Sequence, residues 1–268
     1  MRILVINSKG GSGKTTFALN VAVPFLWRKS SKTVNYIDVD VANKEALNVE
    51  SSLINPHVIK PEELKSFRIP KNSVIDVGGN INALQTLDIL DKTEKLRRID
   101  LVAIPLAKGE QDAYNAVEIY QTLRNRYAYK GKIAFILSQV VDTENYEREF
   151  FEFFGFSSLY KGVIKSIDKN DRNIFIVPYS NEIRRVKSIF GKLPYEFYTE
   201  NKNRMEELVG KLEEIEDKLD EFEETSEISD EEIQKLKDRY EILTDIIFAT
   251  KMLESFFGFI KKQYSALE

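Results

Sequence analysis

Short, nearly continuous apolar runs recur along the first 180 residues, at Ile3–Ile6, Val34–Ile37, Val74–Val77, Leu101–Ile104, Ile133–Leu137 and Ile174–Val177. They are rich in β-branched residues, and turn or polar residues follow each one. Continuous apolarity, in place of alternation, marks strands buried on both faces, as in a parallel sheet covered by helices. Helix-compatible patterns lie between them at Thr15–Arg28, Asn82–Lys95, Gln111–Tyr127 and Glu144–Phe154. The alternation predicts an α/β fold, doubly wound, with a mainly parallel sheet.

From about Lys202 the period changes. Met205, Leu208, Leu212, Ile215, Leu219 and Phe222 follow a 3-4-3-4-3 spacing, and Ile233, Leu236, Tyr240, Leu243 and Ile247 resume it after a polar break at Glu223–Ser229. This is heptad spacing, and Ser229 with Glu232 forms a capping box at the second segment's start. The expectation is a C-terminal antiparallel helical hairpin, which divides the chain into domains at 1–200 and 201–268. Its seam packs within the chain or, alternatively, against a partner.

Composition narrows the chemistry. There is no cysteine, which excludes disulfides, iron–sulfur clusters and thiolate zinc sites and fits a reducing, cytoplasmic setting. The single histidine, His57, cannot build a His-rich metal site and reads as a loop residue between Pro56 and Pro61. Only four apolar residues separate Arg2 from Asn7, too few for a signal peptide. No run approaches the roughly 18–20 apolar residues of a membrane span. The net charge of −4 conceals an asymmetry: 201–268 carries 10 basic and 19 acidic residues, leaving 29 basic against 24 acidic in 1–200. A mildly basic body with an acidic tail leaves polyanion binding open.

Directly after the first apolar run, residues 9–16 read Lys9-Gly10-Gly11-Ser12-Gly13-Lys14-Thr15-Thr16 and open a helix. Strand, glycine-rich loop and helix in this order form a phosphate-binding P-loop. Gly10, Gly11 and Gly13 let backbone N–H groups turn toward phosphate oxygens, and the helix start adds its positive dipole end. Lys14 reaches the β- and γ-phosphates, while the Thr15 hydroxyl serves Mg²⁺.

The loop, with its additional lysine at position 9, resembles the deviant Walker A motif of the ParA/MinD superfamily of P-loop NTPases. The resemblance covers roughly residues 1–200 and implies ATP and Mg²⁺ as ligands and an ATP-bound homodimer. In it Lys9 crosses to the partner's phosphates and stabilises developing negative charge. Asp38-Val39-Asp40 resembles the family's Asp-x-Asp segment, where Asp38 serves the Mg²⁺ shell and Asp40 positions the attacking water. The family often continues with Pro-Gln, where this chain has Val41-Ala42. Asp76 matches the Walker B position, followed by Gly78-Gly79 as a switch. The resemblance also assigns the segment around Pro178 and Tyr179 to the nucleotide base, and places Gln139 where relatives often carry an asparagine. On it, Lys9, Lys14 and Asp40 are catalytic, Gly10 through Thr16 bind nucleotide, and Thr15, Asp38 and Asp76 serve the metal.

Without cysteines, the branches of the family that bind clusters or metals through thiolates fall away. The partition branch implies non-specific DNA binding by the ATP dimer, nucleoid association, and stimulation by a centromere-binding, ParB-type protein. Arg184, Arg185 and Lys187 are the candidate DNA contacts. The membrane-cycling, MinD-like branch would use a C-terminal amphipathic segment, for which Phe256–Lys262 offers an apolar-then-basic sequence. Gly258 and the scarcity of polar residues there argue against membrane targeting. A P-loop small-molecule kinase is the alternative from a different class.

Overall fold

The computed structural model describes residues 1–39, 51–79, 81–225 and 229–268, with the backbone alone at 81, 82, 223–225 and 230. Seven strands are present: Arg2–Val5 (β1), Val34–Val39 (β2), Ile54–Val58 (β3), Ser73–Val77 (β4), Leu101–Leu106 (β5), Lys132–Val140 (β6) and Ile174–Pro178 (β7). They form one sheet in the order β3-β2-β4-β1-β5-β6-β7, with every pairing parallel. Every residue of β4 and β5 is buried, as continuous apolar runs require.

Six of the strands coincide with the expected runs to within a few residues. β3 was not expected. Asn55 and Pro56 interrupt its apolarity, and it occupies the sheet edge, where a proline costs no interior ladder bond. His57 therefore lies on a strand, not in a loop.

The helix after β1 runs from Lys14–Phe17 (α1) through a π-helical turn, Ala18–Ala22, into Val23–Ser30 (α2). Ile81–Lys92 (α3) and Glu110–Gln121 (α4) follow β4 and β5. The helix expected over 144–154 is instead two single turns, Tyr146–Glu149 (α5) and Phe151–Phe154 (α6). Phe150 between them leaves the helical region at φ −112°, ψ 41° and buries its ring in the main core, and that burial breaks the helix.

Two compact units result, Met1–Asn181 with Phe259–Glu268, and Glu182–Gly258. In the first, the final segment closes on the sheet. The Gln263 side-chain amide accepts the Ile176 N–H at 2.8 Å and donates to the Ile176 carbonyl at 3.0 Å, pairing with β7 as a strand would. It thereby covers part of a free sheet edge. Tyr264 meets Phe25 edge-on at 5.0 Å, and Leu267 is buried.

The second unit contains Pro194–Lys202 (α8), Met205–Thr225 (α9), most of Asn181–Phe190 (α7) and most of Asp230–Lys262 (α10). α9 and α10 pack side by side through the expected heptad positions. Leu208, Ile215, Leu243 and Ile247 are buried, flanked by Leu212, Leu219, Leu236 and Tyr240. The Tyr240 hydroxyl donates across the pair to Glu216 at 2.6 Å, and that of Ser229 to Glu232 at 3.0 Å. α10 continues through Gly258, and Phe256 and Phe257 are buried, Phe257 against Tyr195 and Tyr198 at 5.0 and 5.5 Å. Helical continuity here is maintained by packing in spite of the glycine. Among the described residues no helix is long and apolar enough to cross a membrane.

Leu243→Ala should remove about 2–5 kcal/mol from the unfolding free energy. Chemical denaturation at two protein concentrations checks it, and a concentration-dependent loss would place the seam between chains.

Candidate functional site

β1 is flanked by β4 and β5, so the chain leaves its end at the point where the strand order reverses, the usual ligand crevice of an open parallel sheet. The glycine-rich loop turns there into α1. Gly11 and Gly13 adopt φ of 76° and 89°, a region that L side chains rarely enter. Gly13 has a second constraint: a Cβ would stand 2.8 Å from the Ser138 Cβ at the end of β6. Gly79, after β4, is equally constrained, since its Cβ would meet the Gly10 nitrogen at 2.9 Å. The ends of β4 and β6 thus support the loop from two sides.

Gly10, Gly11, Gly13, Lys14, Thr15 and Thr16 line a cleft of about 340 Å³ together with Asp38, Asp76, Gly78, Gly79 and Gln139. α1 starts with no side-chain cap and no acidic residue in its first turn, so an anion can engage its N–H groups. The Lys14 ammonium is largely buried and donates to the Lys9 carbonyl at 2.7 Å. Ser12 is fully buried beneath the loop, its hydroxyl 3.3 Å from the same carbonyl.

Asp38 and Asp76 are register partners on β2 and β4, so both carboxylates emerge on one face of the sheet. Both are buried, at 5% and 3% exposure. The Tyr36 hydroxyl donates to Asp76 at 2.7 Å and fixes that carboxylate. Two adjacent buried carboxylates favour a cation between them. Among the described residues no cluster of three His, Cys, Asp or Glu side chains forms a metal cage. A metal in this cleft would therefore depend on Thr15, the aspartates, water and ligand oxygens, which is the manner of Mg²⁺.

Lys9 pairs with Asp112, in the first turn of α4. The other Asp112 oxygen accepts the Ala107 N–H at 3.3 Å. Neither Asp112 nor Tyr36 was singled out from the sequence. Asp112 reads as an ordinary acidic residue at a helix start, and Tyr36 as one member of an apolar strand.

The remaining expected residues are dispersed. Gln139 reaches the cleft from a β-bulge on β6, with φ 59°. Pro178 ends β7, and Tyr179 is exposed with its hydroxyl on Asn181 at 2.6 Å; neither lines the cleft. Asp40 lies outside the described residues. On α7, Arg184 is exposed, Lys187 is half-buried, and Arg185 is held by Asp245 at 3.0 Å and Glu182 at 3.4 Å. The hydrogen bond to Asp245, with Glu182 alongside, raises the Arg185 pKa above its ordinary value. Arg185 is thus committed inside its own unit.

Residues 3–188 match the CbiA family, described as the CobQ/CobB/MinD/ParA nucleotide binding domain. The chain belongs to this family. No curated protein matches it. Among solved structures it is similar to the MinD cell division protein of Aquifex aeolicus, at 13% identity and a TM-score of 0.50, over 75% of this chain and 89% of that one. A nucleotide-binding protein from Archaeoglobus fulgidus in complex with ADP matches at 16% identity and a TM-score of 0.49, over 72% and 86%. The septum site-determining protein MinD of Pyrococcus horikoshii, complexed with Mg-ADP, matches at 14% identity and 0.42, over 72% and 86%. The likeness to the Aquifex protein concerns the fold.

Gly13→Ala should weaken nucleotide binding at least tenfold while leaving the far-ultraviolet circular dichroism spectrum unchanged. Wild-type affinity in a nucleotide titration would contradict the close packing of the loop on Ser138.

Proposed function

We propose that this chain is an ATP-dependent dimerising switch that hydrolyses ATP to ADP. The observation that carries the proposal is the convergence of the P-loop with Asp38 and Asp76 in one cleft. The parts fit the ligand by charge and space: loop glycines for phosphate oxygens, a buried ammonium at Lys14, and a hydroxyl and two carboxylates for a hard cation. Bound Mg²⁺ would draw negative charge from the β- and γ-phosphate oxygens.

The protein's own groups then divide the work. Lys14 would exchange the Lys9 carbonyl for phosphate oxygens, and Thr15 would help to hold the metal. Asp38 and Asp76 would serve the metal's shell, with Tyr36 holding Asp76 in place. Asp40, by family resemblance, orients the attacking water. Lys9 reaches a partner's phosphates only after its pair with Asp112 opens, which links dimerisation to a broken ion pair. Turnover is slow without a partner, as a positional switch requires.

The finer reading is a DNA-partition switch, nucleoid-associated in its ATP state and answering to a centromere-binding protein. The basic balance of residues 1–200 supports it, as does exposed Arg184. The membrane-cycling alternative has less support, because Phe256, Phe257 and Ile260 of its candidate anchor are buried. The kinase alternative has no specific observation in its favour.

Lys14→Ala should abolish both ATP binding and hydrolysis, whereas Asp40→Ala should keep binding, stop phosphate release and hold the dimer on a sizing column. Undiminished turnover in either variant would remove that residue from the mechanism. In co-sedimentation, DNA should pellet with the protein in ATP but not in ADP, and less so as salt rises. Arg184→Glu should reduce that binding with ATPase retained; unchanged DNA affinity would place the surface elsewhere.

A further inference from the structure

The opposite end of the sheet carries a concentration of positive charge that the nucleotide cleft does not use. In a parallel sheet all strand starts lie at one end, and here the segments entering β1, β4 and β5 converge around a pocket of about 290 Å³. Its lining includes Arg2, Lys65, Arg68, Lys95 and Arg98, together with Phe67 and no acidic residue. Arg2 opens β1, Lys65 ends a 3₁₀ turn at Pro61–Lys65, and Arg98 ends another at Leu96–Arg98.

Two of these cations, Arg2 and Lys95, are held by backbone carbonyls, and an acidic influence comes from Glu62, whose pKa is lowered first by a backbone hydrogen bond and in smaller part by the charge of Lys65. The Arg2 guanidinium donates to the Ile69, Pro70 and Arg98 carbonyls at 3.2, 3.1 and 3.4 Å. The Lys95 ammonium donates to the Leu64 carbonyl and, at 2.8 Å, to that of Lys65. Among the described residues no carboxylate forms an ion pair with any of the five side chains. The nearby Asp100 is engaged by the Arg2 backbone N–H at 2.6 Å. Desolvation, and then the charge of Arg98, lower the Lys95 pKa, as expected of a cation held near others without a counter-charge. A solvated basic edge would leave its side chains free, whereas two of these are fixed by five carbonyl contacts.

We propose that this pocket is a second anion site, for a small ligand that presents a phosphoryl or pyrophosphoryl group. Several cations around a small cavity match a multiply charged anion better than a single carboxylate, and arginine forks suit phosphate oxygens. The volume is at the lower end of the range for small-molecule pockets and accommodates a pyrophosphate-sized group. Phe67, whose ring meets His57 edge-on at 5.5 Å, adds an apolar wall for the body of the ligand.

The test uses the full chain carrying Lys14→Ala, so that the P-loop does not compete, and titrates pyrophosphate by calorimetry at low and high salt. Saturable, salt-sensitive binding is expected, at least tenfold weaker when Arg68→Glu and Arg98→Glu are added. Both arginines are exposed, and a circular dichroism melt of the charge-reversed chain verifies folding. If it does not fold, Arg68→Gln with Arg98→Gln replaces it, with the same direction of change expected. No saturable binding in the Lys14→Ala chain, or binding indifferent to the charge changes, would overturn the proposal. Binding of a single-stranded oligonucleotide without any binding of pyrophosphate would overturn it in favour of an extended nucleic-acid surface. ATP binding by the otherwise wild-type chain with Arg68→Glu and Arg98→Glu should be unchanged, which separates this site from the cleft.

Discussion

Close backbone packing at the end of β1 governs the rest of the site. The loop leaving this strand lies against Gly79 on one side and Ser138 on another, with no room for a Cβ at Gly13 or Gly79. The strand order supplies that packing by setting β4 beside β1 and β6 beyond β5. It fixes the start of α1 over the sheet, and Lys14 follows as the first helical residue. Once β4 is beside β1, its parallel register with β2 brings Asp76 alongside Asp38. Phosphate and metal functions therefore derive from one steric arrangement.

Electrostatics then distinguish the two ends of the sheet. At the strand ends the charges are of both signs and mostly buried: Lys14 within the loop, Asp38 and Asp76 together, and Asp112, which pairs with the partly exposed Lys9. Such a site is costly when empty and is compensated by a ligand carrying both phosphate and a cation. Around the pocket at the strand starts the charges are positive, and those of Arg2 and Lys95 are anchored by carbonyls. A single sheet thus presents two different charge environments, one lined by the paired aspartates and one whose lining has no acidic residue. The overall charge of −4 reveals neither.

Much of this was legible in the sequence because strands buried on both faces leave unbroken apolar runs, and because a glycine-rich loop between strand and helix has few other uses. The hairpin was legible for a similar reason, since its seam repeats. What escaped detection has physical causes. β3 lies at an edge, where Asn55 and Pro56 cost little, so its run is broken. The Tyr36 hydroxyl is hidden in an apolar strand, and its bond to Asp76 exists only once β2 and β4 pair. Asp112 is 103 residues from Lys9, and the pair depends on the crossover that brings α4 beside the loop. The Gln263 pairing with β7, 87 residues away, likewise has no local signal. Residues at strand ends were readable by type and position, whereas their partners were set by tertiary contacts.

The central claim is that the cleft between the P-loop and the paired aspartates holds ATP with Mg²⁺. Equilibrium titration of the wild-type chain with ATP, in the presence and absence of Mg²⁺, tests it most directly. The account predicts saturable binding at one site per chain, tightened by Mg²⁺ and competed by ADP. Failure of ATP to bind saturably, or an affinity indifferent to Mg²⁺, would contradict it.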